Sequence, residues 1–104
     1  MTKPSVDKEG FLRSLDDWST DVAEQLADTA GISLAEEHWL VLDTLRLFYA
    51  ETDISPAMRP FVKLVRTQVS EDLGSSIALM KLFGESPAKT ASKIAGLPKP
   101  TNCI

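Results

Sequence analysis

The sequence predicts a mainly α fold of the α+β kind: a compact bundle of about five helices, a small N-terminal β-hairpin and an extended C-terminal arm. Three observations lead there. Apolar residues recur at helical spacing in five successive stretches. Serine, glycine and proline signals bound those stretches where helices open and close. Gly96, Pro98 and Pro100 then follow the last stretch and forbid its continuation. The 104 residues suit one domain with one modest core. We expect a globular unit over 1–96 and a mobile arm over 97–104.

Residues 1–5 should be loose. Val6 to Arg13 has a polar, glycine-containing centre between apolar flanks, the pattern of a short hairpin. An isolated hairpin is marginal, so it must pack on helices, with Leu15 and Trp18 as the expected contact. Asp16, Asp17 and Asp21 crowd the first helix start, where carboxylates suit the positive dipole end; they lack the spacing of a calcium loop. Val22, Ala23, Leu26, Ala27 and Ala30 form its apolar stripe, and Gly31 closes it. Ser33 and Glu36 have capping-box spacing and should open a second helix running to about Glu51. His38, Val41, Leu42, Leu45, Phe48 and Tyr49 share one face there, with Trp39 alongside. This longest segment is the expected central helix. His38 has two readings, a proton shuttle or a packed helix-face histidine.

Ser55-Pro56 reads as the start of a third helix, 56–70, with Met58, Phe61, Val62, Val65 and Val69 inward. Pro60 lies inside it and should kink or split the helix after its first turn. Gly74-Ser75-Ser76 is a turn and cap without the lysine of a phosphate loop. Ile77, Leu79, Met80, Leu82 and Phe83 then make a short apolar helix, Met80 being read as core filler. Ser86-Pro87 caps the last helix, whose Ala88, Ala91, Ile94 and Ala95 suit close packing. That helix should stop near Ala95.

Composition narrows the class further. Hydrophobic residues at 43% and charged ones at 25% are ordinary for a soluble globular chain. No apolar run approaches the ~20 residues of a membrane span, and no apolar leader follows the polar start. One cysteine cannot form an internal disulfide, so a reducing, cytoplasmic setting is expected. A prenylation box is excluded, because its cysteine lies fourth from the end. The net charge of −4 conceals a division. Residues 1–54 carry four basic groups against twelve acids, and residues 55–104 carry seven against three. Either the two halves attract one another, or the basic half presents a partner surface.

The single cysteine, Cys103, is the penultimate residue. In an extended, polyproline-like arm, the seven steps from Gly96 to Cys103 span roughly 20 Å at about 3.1 Å each. A thiol so placed can enter a partner's active site. The alternative is a merely disordered end, its free cysteine behaving as a small buried hydrophobe. No Ser/His/Asp set, glycine-rich nucleotide loop or metal-ligand cluster accompanies it, so neither a metal nor a cofactor is expected. Thiolate attack on a sulfur–sulfur bond needs little beyond access and ionisation. Lys99 would favour the thiolate and the neighbouring terminal carboxylate would oppose it, so activation is expected only on docking with a partner.

The run Lys93-Ile-Ala-Gly-Leu-Pro-Lys-Pro100 with a penultimate cysteine resembles the DsrC/TusE sulfur-carrier family. Glu9-Gly10-Phe11-Leu12, Gly31-Ile32, Glu37-His38-Trp39 and Ser55-Pro56-Ala57 extend the resemblance over nearly the whole chain. In that family a small N-terminal β element is expected. Members that act with dissimilatory sulfite reductase carry a second cysteine separated from the penultimate one by ten residues; Ser92 stands there in this chain. The resemblance therefore implies the single-cysteine TusE-like branch, a sulfurtransferase-type carrier. In that branch Cys103 would accept a persulfide from a TusBCD-like donor. It would pass the sulfur to an MnmA-like thiouridylase for 2-thiolation of wobble uridine in transfer RNA, with tRNA contact at most indirect. Gly96, Leu97, Pro98 and Pro100 would form the arm. Arg59, Lys63, Arg66, Lys89, Lys93 and Lys99 are the expected docking residues. The alternatives are a helix-turn-helix nucleic-acid binder using Arg59, Lys63 and Arg66, or a regulatory DsrC-like protein sensing sulfur or redox state.

Overall fold

A computed structural model describes residues 5–100 of the chain. The expectations for the first four residues and for Cys103 therefore lie outside the described residues. Five helices follow one another: α1 (Thr20–Thr29), α2 (Glu36–Thr52), α3 (Met58–Gln68), α4 (Ser76–Phe83) and α5 (Pro87–Ile94). They enclose one core, in which Ala23, Val41, Leu42, Phe61, Val65 and Ile94 are fully buried. No described helix is long and apolar enough to cross a membrane.

α5 is the hub, packing against each of the other four helices. The sequence pointed to α2, the longest apolar segment, as the centre. Length misled because α5 carries small residues. Ala91, Ser92 and Ala95 present little bulk, so neighbouring backbones approach from every side. The helix that leads into the C-terminal arm is thus the most enclosed element of the fold.

The expected hairpin is not built as strands among the described residues. One antiparallel bridge, Val6 with Leu12, is what forms. The Asp7 carboxylate takes the N–H groups of Glu9 (2.9 Å) and Phe11 (3.0 Å), holding a tight turn through Gly10 at φ 89°. Those bonds, led by the one from Phe11, hold the Asp7 carboxyl below its ordinary range. Phe11 and Leu12 are buried, whereas the expected packing residue Leu15 is 37% exposed and Trp18 turns to α5.

Helix starts differ from the sequence reading in three places. Asp16 and Asp17 sit in a separate 3-10 turn, Leu15–Asp17, and the side chain of Ser19 caps α1 by accepting from the Val22 N–H at 3.2 Å. α2 opens at Glu36, not through a Ser33 capping box; the His38 imidazole accepts the Ala35 N–H instead. α3 starts two residues past Pro56 and runs unbroken through Pro60. Pro60 is its third residue, where the missing N–H would have had no intrahelical partner anyway. Phe61, the next residue, donates the first helical bond, to Ala57 at 2.9 Å. Elsewhere the Ser75 hydroxyl caps α4 and Gly31 closes α1 as read, while α5 opens on Pro87 with Ser86 at its N-cap position but without a side-chain cap bond.

Met80 is not core filler. It is 44% exposed and Ile77 is 71% exposed, since the short α4 turns only Leu79, Leu82 and Phe83 inward.

Candidate functional site: the root of the C-terminal arm

α5 ends in a paired hydrogen-bond cap. Gly96, at φ 77°, donates to Lys93 O (3.1 Å), and Leu97 donates to Ser92 O (2.9 Å). This is the Schellman arrangement, which requires the left-handed residue that glycine supplies most readily. It leaves the last carbonyls of the helix needing donors. The Trp18 indole N–H meets Ile94 O at 2.9 Å and the Arg46 guanidinium meets Ala95 O at 2.7 Å. The guanidinium also lies 3.9 Å over the Trp18 ring. A positive group at a helix C-terminus suits the dipole as well. Burial lowers the Arg46 pKa from its ordinary value, and the group stays charged.

Gly96 is constrained a second way. A Cβ there would collide with Cδ1 of Trp18. Two side chains distant in sequence, Trp18 and Arg46, therefore fix the point where helix becomes arm. The arm does not leave the domain at that point: Leu97 is 3% exposed and joins the core, and Pro100 is buried. Between them Lys99 reaches Glu9 at 2.9 Å, and Lys89 of α5 reaches the same carboxylate oxygen at 3.3 Å. The Lys99 bond, then the Lys89 bond, lowers the Glu9 pKa. Lys93 sits with its Nζ 5.4 Å from the centre of the Phe11 ring. The N-terminal turn is thus a brace for the arm.

Beside this root opens a groove of about 360 Å³, walled by Met58, Met80, Pro87, Ala88, Lys99 and Pro100. Its walls are mostly apolar, with Lys89 and Glu85 also lining it.

The expected docking residues divide accordingly. Lys89, Lys93 and Lys99 gather at the root, against the N-terminal turn. Arg59 and Lys63 project from α3 into solvent. Arg66 holds the chain after its own helix, donating from Nε to Gly74 O at 3.0 Å. Gly74 lies so close that a Cβ would strike the Arg66 backbone. Ser92 is wholly buried in α5, and its hydroxyl oxygen has no hydrogen-bond partner among the described residues. Both His38 nitrogens are engaged: Nδ1 accepts from Ala35 at 3.0 Å, so Nε2 carries the hydrogen and donates to Leu82 O at 2.8 Å. That histidine joins α2 to α4, the packing role among its two readings. Among the described residues, no three His, Cys, Asp or Glu side chains gather as metal ligands do.

Sequence reasoning missed Glu9, Trp18 and Arg46 as arm-holding residues. The signal for Trp18 and Arg46 was faint: Trp18 was read as a contact of the N-terminal hairpin, Arg46 had no assigned partner, and both lie far from the arm in sequence. Glu9 lay inside a recognised segment, but its partners stand 80 and 90 residues away.

Helical bundle, buried terminal helix and braced arm together define a class. A family model described as DsrC like protein matches residues 1–104, and the chain belongs to that family. Among relatives, it is 46% identical over 103 residues to the Sulfurtransferase TusE of Sodalis glossinidius, covering 99% of this chain and 95% of that one. It is 47% identical over 99 residues to the Sulfurtransferase TusE of Escherichia coli, covering 95% and 91% respectively. Among solved structures, Allochromatium vinosum DsrC superposes with a TM-score of 0.86 at 43% identity, over 95% of this chain and 88% of that one. The oxidized gamma-subunit of dissimilatory sulfite reductase (DsrC) from Archaeoglobus fulgidus gives 0.85 at 38% identity, over 99% and 94%.

Proposed function

We propose that this chain is a sulfur-relay carrier whose Cys103 receives one sulfur atom from a TusBCD-like donor and passes it to an MnmA-like tRNA thiouridylase. The observation that carries the reading is the near full-length similarity to chains named Sulfurtransferase TusE. Ser92 directs the choice of branch, since a buried hydroxyl cannot pair with Cys103 in a disulfide. The dissimilatory sulfite reductase role in the printed name of the Archaeoglobus fulgidus structure is therefore not carried over.

The chemistry is an exchange at sulfur. The Cys103 thiolate attacks the outer sulfur of a donor persulfide; the new sulfur–sulfur bond forms as the old one breaks, and the donor cysteine leaves as thiolate. Cys103 then bears the persulfide, and an acceptor thiolate repeats the step on its outer sulfur. No electrons are gained or lost overall, so neither metal nor cofactor enters. Glu9, Trp18, Arg46 and Gly96 fix the root of the arm, leaving residues 101–104 to enter donor and acceptor in turn. Of the three basic residues that a helix-turn-helix reading would place on phosphates, Arg66 is committed to Gly74.

The test is the level of 2-thiouridine in transfer RNA from a strain lacking the gene. Wild-type protein should restore it and Cys103→Ser should not. Unchanged thiolation in the deletion strain would replace the relay with the regulatory alternative.

A further inference from the structure

We infer that the outer face of α2 docks a helix of a partner protein, one that carries a row of aliphatic side chains between Lys or Arg. The inference does not depend on the chemistry of Cys103, and it gives a role to a surface that the relay reading leaves unassigned.

α2 is apolar on two sides. His38, Val41, Leu42 and Leu45 are buried on its inner face. On the outer face Leu40 is 48% exposed and Leu47 is 65% exposed. Their separation is close to two helical turns, so the two leucines stand in line about 10 Å apart. At about 100° per residue, Glu36 and Asp43 border that line on one side, Glu37 and Thr44 border it on the other, and Glu51 continues it. Ile54, exposed like the leucines, follows just past the helix end. One exposed leucine needs no explanation, but two in register between polar borders have the form of a helix-packing seam. The occupant is a helix because the backbone of α2 is already hydrogen-bonded within itself and offers no edge to an added strand.

Charge selects the occupant's borders. Every ionisable side chain fully exposed on α2 is a carboxylate: Glu36, Glu37, Asp43 and Glu51. Arg46, the one Lys or Arg of this helix, is turned onto Ala95 O and the Trp18 ring. Asp43 favours the charge on Arg46 without reaching ion-pair distance. None of the four carboxylates has a hydrogen bond or ion pair among the described residues. A solvated helix face ordinarily gains from opposite charges at i, i+4 spacing, and this one has none. Glu51 in the last turn and Asp53 at the C-cap also stand at the end of the dipole that disfavours negative charge. Lys or Arg laid along the seam would offset both penalties. A second copy of this chain would not, since two α2 faces set carboxylate against carboxylate in either orientation.

The test uses the full chain and three tagged synthetic helical peptides of three heptads each. The first has leucines at the seam positions with lysines on both borders. In the second glutamates replace the lysines, and in the third serines replace the leucines. By fluorescence anisotropy the first should bind at least about tenfold more tightly than either of the others. The double variant Leu40→Ala/Leu47→Ala should weaken that binding about tenfold or more, and so should Glu37→Lys/Asp43→Lys. Amide chemical shifts moved by the peptide should fall on residues 36–54. Equal binding of the serine peptide, or an undiminished affinity in the leucine variant, would reduce the face to a general acidic surface and overturn the seam. No binding of the first peptide at millimolar concentration, or shifts confined to another face, would overturn it as well. Sedimentation should show no self-association; a dimer abolished by the leucine variant would replace the partner helix with a second copy. The substituted positions are exposed and alanine favours helix, so circular dichroism and the thermal midpoint should match wild type.

Discussion

At Gly96 two demands meet in one residue. Its φ of 77° suits a residue without a side chain, and the Trp18 ring occupies the place where a Cβ would go. Gly96→Ala is expected to destabilise the domain by about 1–3 kcal/mol, read as a lower urea midpoint at unchanged slope. Arg46→Met should cost about 1–2 kcal/mol through the lost carbonyl bond and ring contact. Glu9 gives a pH prediction. Its folded pKa is depressed, so the contact is fully present above the ordinary glutamate range and is lost as pH falls through the folded value. Amide exchange at Leu97 and Lys99, corrected for intrinsic rates, should therefore speed up in acid, and Glu9→Gln should show the faster corrected exchange already at neutral pH. The Gly96 stop was legible in the sequence, because glycine before two prolines has one common meaning. The Trp18 and Arg46 contacts were not, since nothing local marks a donor whose acceptor lies 76 or 49 residues away.

Helices were read from their interiors more faithfully than from their ends. Periodic apolar residues report burial directly, and Ala23, Leu26, Val41, Leu45, Phe61, Val65, Ala91 and Ile94 are buried as their spacing implied. Ends depend on which polar group reaches which N–H first. At α2 the imidazole of His38 won over the hydroxyl of Ser33, since it simultaneously bonds Leu82 O and so gains a tertiary partner. His38→Phe should leave the Ala35 N–H and the Leu82 carbonyl without these bonds and lose about 1–3 kcal/mol, detectable by denaturant unfolding. The hairpin expected between Val6 and Arg13 is present only as a reversal with one antiparallel bridge, its turn held by the two N–H groups that Asp7 binds.

Across the whole molecule, the most enclosed helix is the one that ends in the arm. The root of the arm cannot shift without disturbing the core, because Leu97 is part of it. The N-terminal turn, α1 and α2 all contribute to holding it, through Glu9, Ser19-capped packing around Ala23, and Arg46. The asymmetry of charge visible in the sequence has a partial internal use, in Glu9 bridging to Lys89 and Lys99, and leaves Arg59, Lys63 and Lys81 facing solvent. The central claim, that Cys103 bears sulfur in transit, is tested most directly by the mass of the C-terminal peptide after incubation with a cysteine desulfurase and TusBCD. A gain of one sulfur atom, about 32 Da, on the wild-type peptide and none on Cys103→Ser is the predicted result. An unmodified wild-type peptide, under conditions where the donor complex itself is loaded, would contradict it.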